Sequence, residues 1–250
     1  MKIFFNYIFI LVKNIYIYYY RTMIQDKIVK KTIYFSLLMQ IFTTVISLDG
    51  FNYNLNDQDK IIKDILILET IVQFIEAGFY LWVTFALKDL KIMTPRRYID
   101  WFITTPTMLV STIIFMEYVR NKETGGETIE FWSFMKDHKQ NIQKIVSYNF
   151  LMLLFGYLGE INKLDKNKSV ILGFIFFILS FQLIYDEYAK YTEIGRNLFK
   201  FLVTVWSLYG FSALMNLRTK NVMYNLLDIV SKNFYGLYIY YYIRQIGTRS

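Results

Sequence analysis

From residue 32 onward the chain alternates long apolar runs with short polar connections. The runs are Thr32–Leu48, Ile61–Leu87, Pro95–Val119, Ile142–Ile161, Ser169–Tyr188, Gly195–Leu217 and Val222–Ile243, here spans A to G. Each is long enough to cross the hydrocarbon core of a bilayer as a helix with some tilt. The pattern predicts an all-α integral membrane protein, a seven-transmembrane-helix bundle. One connection is longer: Arg120 to Gln140, between C and D, holds Thr124-Gly125-Gly126 and mixed charges. Residues 1–29 read as a separate segment. Ile3 to Tyr20 is apolar and aromatic, but Lys2, Asn6, Lys13 and Asn14 interrupt it, and the basic cluster Lys27, Lys30 and Lys31 closes it. That predicts an interfacial helix ahead of a membrane domain over 30–250.

Composition narrows the function. The 250 residues are 55% hydrophobic, too apolar for a soluble domain of this size. The net charge of +8 comes from basic residues flanking apolar spans. There they meet lipid headgroups, so membrane lipids are the expected partners and nucleic acid is not. Zero cysteines exclude disulfides, thiolate metal ligands and cysteine nucleophiles, and the single histidine, His138, cannot build a metal site alone. His138 falls in a polar connection and reads as solvated. Lys and Arg occur on both sets of alternate loops, so they assign no orientation. The expectation is a cell-membrane or host-cell-membrane protein that is not an enzyme.

The polar residues inside the spans carry the chemistry. Lys232, near the middle of span G, costs roughly 2.5–3.5 kcal/mol at that depth, and such residues rarely stand without a partner or a task. Asp228, four residues earlier, shares its helical face. Two readings stay open at this point: a structural ion pair, or a lysine that condenses with an aldehyde and is balanced by the aspartate. On span C, Arg97, Asp100, Thr104, Thr107 and Ser111 follow three- and four-residue steps and share one face. Span B carries Glu69, Gln73, Glu76 and Tyr80 in the same manner, span A carries Ser36, Gln40, Thr43 and Ser47, and span G carries Asn221, Asn225, Asp228 and Tyr235. Four helices thus present polar stripes, and intramembrane glutamates are costly unless they face water or protein.

Three strings, Arg97-Tyr98-Ile99-Asp100-Trp101-Phe102-Ile103-Thr104-Thr105-Pro106, Trp206-Ser207-Leu208-Tyr209-Gly210 and Asp228-Ile229-Val230-Ser231-Lys232, resemble motifs of the microbial (type 1) rhodopsins, in the expected order and on the expected spans. The resemblance covers roughly Thr32 to the C-terminus. It implies that Lys232 bears all-trans retinal as a Schiff base, that Asp100 is counterion and proton acceptor, and that Asp228 is a second counterion, with Arg97 offsetting their charge. It further implies a pocket built from Trp101, Thr104, Thr105, Met108, Asn149, Met152, Gly156, Trp206, Tyr209 and Ser231. Trp101 and Trp206 would sandwich the polyene, and Tyr80 and Tyr209 would supply hydroxyls to Asp228.

The departures from the family pattern bear on function. Gly210 stands where proline is usual, which puts the kink of span F in doubt. Ser111 stands where the family's outward proton pumps carry the carboxylate that returns a proton to the Schiff base, Lys220 where they often have a proton-release carboxylate, and Asn149 where one has a buried aspartate. The glutamates of span B resemble channelrhodopsins, and the Asp100, Thr104, Ser111 set resembles the channel-type viral rhodopsins. The expected function is therefore a light-gated cation channel, with monovalent cations or protons passing between spans A, B, C and G along Ser36, Gln40, Glu69, Gln73, Glu76, Tyr80, Ser111 and Asn225. An outward proton pump and a sensor signalling to a partner remain the alternatives, and a homo-oligomer is compatible with all three.

Overall fold

The computed structural model describes residues 27–86 and 90–249. Most of the N-terminal segment expected to lie at the membrane interface falls outside the described residues. Helix α1 is already formed at residue 27 and continues to 49, so Lys27, Lys30 and Lys31 lie within it. It is followed by α2 (Ile61–Ala86), α3 (Leu90–Thr124), α4 (Phe131–Asp137), α5 (Lys139–Glu160), α6 (Lys166–Glu187) and α7 (Glu193–Ala213). The last rod is continuous but composite: α8 (Leu217–Asp228), a π-helical segment (Ile229–Asn233) and α9 (Phe234–Ile246).

Setting aside the short α4, these elements make seven rods. Among the described residues, four stretches are long and apolar enough to cross a membrane by length and composition: Lys27–Asn52, Asp57–Phe85, Ile92–Thr124 and Lys166–Glu187. The remaining three rods carry more polar residues, because they bring inward-facing side chains such as Asn149, Asp228 and Lys232 to the middle of the bundle. Outward faces are apolar. Phe35, Leu38, Phe42 and Val45 on α1, and Ile171, Ile175 and Ile178 on α6, are exposed at three- and four-residue steps, the stripe that lipid would cover.

Local chemistry explains where the rods stop. The Asn216 side chain accepts from Thr219 N–H and starts α8, so α7 ends at Ala213, short of the expected Leu217. Asp165 and Thr192 cap α6 and α7 in the same way, through Lys168 N–H and Gly195 N–H. Gly159 lets α5 meet α6: a Cβ there would strike Ser169, whose hydroxyl donates to the Phe155 carbonyl at 2.6 Å. Pro106 falls inside α3 and removes one intrahelical donor.

Two features were not expected from the sequence. The connection between α3 and α5 contains α4, held by the buried Phe134. His138 follows it and is not simply solvated: its ring stacks on Phe134 with centroids 4.3 Å apart, and Nδ1 lies 3.1 Å from the Tyr188 hydroxyl. The second feature is a short antiparallel pair of Tyr53–Asn54 with Thr248–Arg249, which ties the α1–α2 connection to the C-terminal end. Asp49 reinforces it by accepting from Tyr240 and Arg249 at 3.0 and 3.3 Å.

Candidate functional site

The π-helical segment sets Lys232 in the centre of the bundle with its amine aimed at three carboxyl groups. Nζ stands 2.8 Å from Glu76 Oε1, 2.9 Å from Asp100 Oδ2 and 3.6 Å from Asp228 Oδ1. Asp228 is the best partnered of the three. It accepts from Tyr80 at 2.6 Å, from Arg97 at 2.8 Å and from Tyr209 at 2.8 Å. Arg97, itself fully buried, also donates to Asn225 Oδ1. Two cations, Lys232 and Arg97, therefore face three acids. The set balances when one acid holds a proton, and Glu76 and Asp100 are the two with no donor but Lys232.

Beside Lys232 lies a largely apolar cavity. Its walls include Trp101, Thr105 and Met108 from α3, Met152 and Gly156 from α5, Trp206 and Tyr209 from α7, and Ser231 and Lys232 from the last rod. Glycines keep it open at two places. A Cβ at Gly156 would run into the Tyr98 ring, and one at Gly210 would run into Phe174. The helix α7 passes through Gly210 without a break.

A lysine at the end of an aromatic-walled cavity, inside a seven-rod bundle, is the arrangement to set against known proteins. The family model for bacteriorhodopsin-like proteins matches residues 31–246. The chain belongs to that family. Among solved structures, this bacteriorhodopsin-like protein is similar to the viral rhodopsin OLPVRII, at 27% identity and a TM-score of 0.75 over 88% of this chain and 99% of that one. It shares its fold with a blue light-absorbing proteorhodopsin from Med12, at 19% identity and a TM-score of 0.65 over 87% and 97% of the two chains. The Exiguobacterium sibiricum rhodopsin matches at 17% identity and a TM-score of 0.69 over 90% and 98%. No curated protein sequence matches.

Microbial rhodopsins bind retinal, and the cavity of this bacteriorhodopsin-like protein fits such a group on its own terms. A rigid apolar chain needs flat apolar walls, and an amine within reach of carboxylates suits a covalent link that carries positive charge. Thr104 and Asn149 do not line the cavity. Thr104 donates to the backbone carbonyl of Asp100 at 3.0 Å, and Asn149 stands behind the wall, donating to Thr105 Oγ1 at 2.8 Å. Sequence reasoning missed the contribution of α6, where Val170, Gly173, Phe174 and Phe177 complete the lining. Only the small residue Gly173 in an apolar run could have signalled it.

The four polar stripes of the bacteriorhodopsin-like protein face one another. Ser36 donates to the Asn225 carbonyl at 2.9 Å, Gln40 pairs with Asn233 at 2.9 Å, and Asn233 also donates to Thr43. Ser47 donates to Gln73 at 3.1 Å, and Ser111 joins Glu69. The result is a buried polar seam along α1, α2, α3 and the last rod, with Lys232 in its middle. Thr107 leaves the stripe of α3, since it is partly exposed and bonds to its own backbone at Ile103. Lys220 closes the Arg97 end differently: it grips both oxygens of Glu160 at 2.6 and 2.7 Å, joining α8 to α5.

Proposed function

We propose that this protein is a light-gated cation channel whose path is the seam between α1, α2, α3 and the last rod. The observation that carries the reading is that polar stripes on four different rods converge on one buried line through Lys232. Retinal, held by Lys232 and walled by Trp101, Trp206, Tyr209, Met108 and Met152, supplies a light-driven change of shape at the amine. The response belongs to the chain's own residues. A proton leaves the Lys232 nitrogen for Asp100 Oδ2, 2.9 Å away, so an N–H bond breaks and an O–H bond forms. Both groups become neutral, and Lys232 loses its hold on Glu76. Arg97 and Asp228 keep their mutual pair, and Glu76, the acid that holds the proton in this reading, is free to turn into the seam. Once it gives that proton to water, its carboxylate draws cations by direct charge attraction.

Replacing Glu76 by Gln tests this. In voltage-clamped cells supplied with all-trans retinal, the variant is expected to change the reversal potential or the size of the photocurrent. An unchanged photocurrent under all ionic conditions would remove Glu76 from the path.

A second reading, a light-driven outward proton pump, is favoured by one observation. Beyond Glu69 the seam ends in a dry plug of Ile62, Ile65, Leu66, Phe115, Met116, Ile239 and Ile243, all at most 1% exposed. A pump needs one side closed at a time, and a channel needs that plug to hydrate when it opens.

A further inference from the structure

The plug beyond Glu69 is not the end of the polar line. One turn past it, three rods change character at the same level: Asp59, in the turn Asp57–Asp59 that leads into α2, lies three residues before Ile62, Tyr118 three after Phe115, and Tyr242 three after Ile239. Aromatic rings hold the rods together there. Tyr242 meets Phe115 with centroids 5.4 Å apart and Tyr118 at 6.0 Å, both edge to face. Asp59 accepts from the Tyr118 hydroxyl and, at 2.8 Å, from Lys122 Nζ, which also donates to the Tyr118 oxygen at 2.9 Å. A carboxyl group thus stands on the far side of the apolar layer, about 15 Å along the axis from Glu69.

The three partners are held differently. The Asp59 side chain is 2% exposed, and its backbone is fixed by Asn56, whose side chain accepts from Asp59 N–H at 3.0 Å. Tyr118 is buried as well. The Lys122 side chain is 41% exposed and reaches in from the solvent side on a flexible stem. Fixed oxygens therefore face a cation that is able to leave. A carboxylate this deep is costly without a positive partner, so another cation must take the place of the ammonium when it swings out. Space for one lies alongside: a cavity of about 40 Å³ borders Asp59, Tyr118 and Lys122, with Gln58, Asn121 and the loop 125–129 as its other walls. The loop is tied down by Gly126 N–H donating to the Asn121 carbonyl at 2.8 Å. Carboxylate, phenol and amide oxygens are the ligands that hard cations take.

We infer that Asp59 is a binding site for a monovalent cation at the far mouth of the seam, and that Lys122 is a tethered cation which fills it in the closed protein. The inference rests on the channel reading of the seam. When the plug hydrates, an ion arriving at Asp59 displaces the Lys122 ammonium into water and takes over the carboxylate and the Tyr118 oxygen. The returning lysine displaces it in turn. Exchange of one positive charge for another keeps the buried carboxylate balanced throughout. Asp59 so sets how readily cations enter or leave at this end of the path.

The test records photocurrent against voltage for the full chain with all-trans retinal, in wild type, Asp59→Asn, Lys122→Gln and the double variant. The site lies at one end of the path, so altering it changes the current in one direction. Lys122→Gln should raise the current carried by cations entering at the Asp59 end by about two- to fivefold, the worth of one partly exposed ion pair, and Asp59→Asn should lower it. In the Asp59→Asn background, Lys122→Gln should add nothing, because the lysine acts through the carboxylate. A coloured Asp59→Asn protein with the wild-type current–voltage curve overturns the assignment, as does a Lys122→Gln effect that persists without Asp59. If Asp59→Asn yields no coloured protein, Lys122→Gln decides alone, and an unchanged or smaller current in that direction overturns the assignment. A coloured wild type that passes no reversing current overturns the channel reading beneath it, which is a distinct result.

Discussion

The two halves of the seam are built on opposite terms. On the Arg97 side the charged groups are paired: Asp228 receives three donors, Arg97 reaches Tyr80, Asp228 and Asn225 although its Nε has no partner, and Lys220 holds both oxygens of Glu160. On the Glu69 side the polar atoms are sparse and incompletely partnered, with Glu69 Oε2 and Gln73 Nε2 unpaired among the described residues, against an apolar plug. The difference separates a fixed electrostatic frame from a region that must rearrange. Saturated charge networks resist change, because removing one member leaves another charge buried and alone. Partner-poor groups give up or take in protons and water at lower cost.

The comparison breaks most completely at Lys232, which both halves share. Lys232→Ala is expected to abolish visible absorbance after reconstitution with all-trans retinal, and a coloured variant would remove the lysine from its role. On the saturated side, Arg97→Gln takes from Asp228 its nearer cation and leaves only Lys232, 3.6 Å away. It should destabilise the protein by about 3–5 kcal/mol, read as a lower thermal midpoint of the purified protein. On the sparse side, Gly236→Ala pushes a methyl group into Gln73 and should cost about 1–3 kcal/mol, the usual penalty of overpacking. If Arg97→Gln proves milder than Gly236→Ala, the division into frame and movable region is wrong.

The sequence exposed the rods and the polar stripes because both are periodic. Apolar runs at bilayer length marked the spans, and three- and four-residue steps marked Glu69, Gln73, Glu76 and Tyr80 as one face. Periodicity does not fix the axial offset between helices, however. It cannot tell that Glu76, and not Glu69, meets Lys232, so the stripe alone assigns Glu76 to the pore, while the structure brings it to 2.8 Å from the amine. Nor could it foresee α4 or the pairing of Tyr53–Asn54 with Thr248–Arg249, since segments so short form only through tertiary contacts. The cavity wall on α6 went unread for a related reason. Val170, Gly173, Phe174 and Phe177 look like any apolar run until neighbouring helices define which face is inward.

The most direct test of the central claim is the light-induced current in voltage-clamped cells supplied with all-trans retinal, recorded across membrane potentials and cation gradients. A channel along the seam predicts a current that reverses sign and whose reversal potential follows the cation gradient. An outward current that keeps its sign at every accessible voltage, or a coloured protein that passes no current, would contradict it.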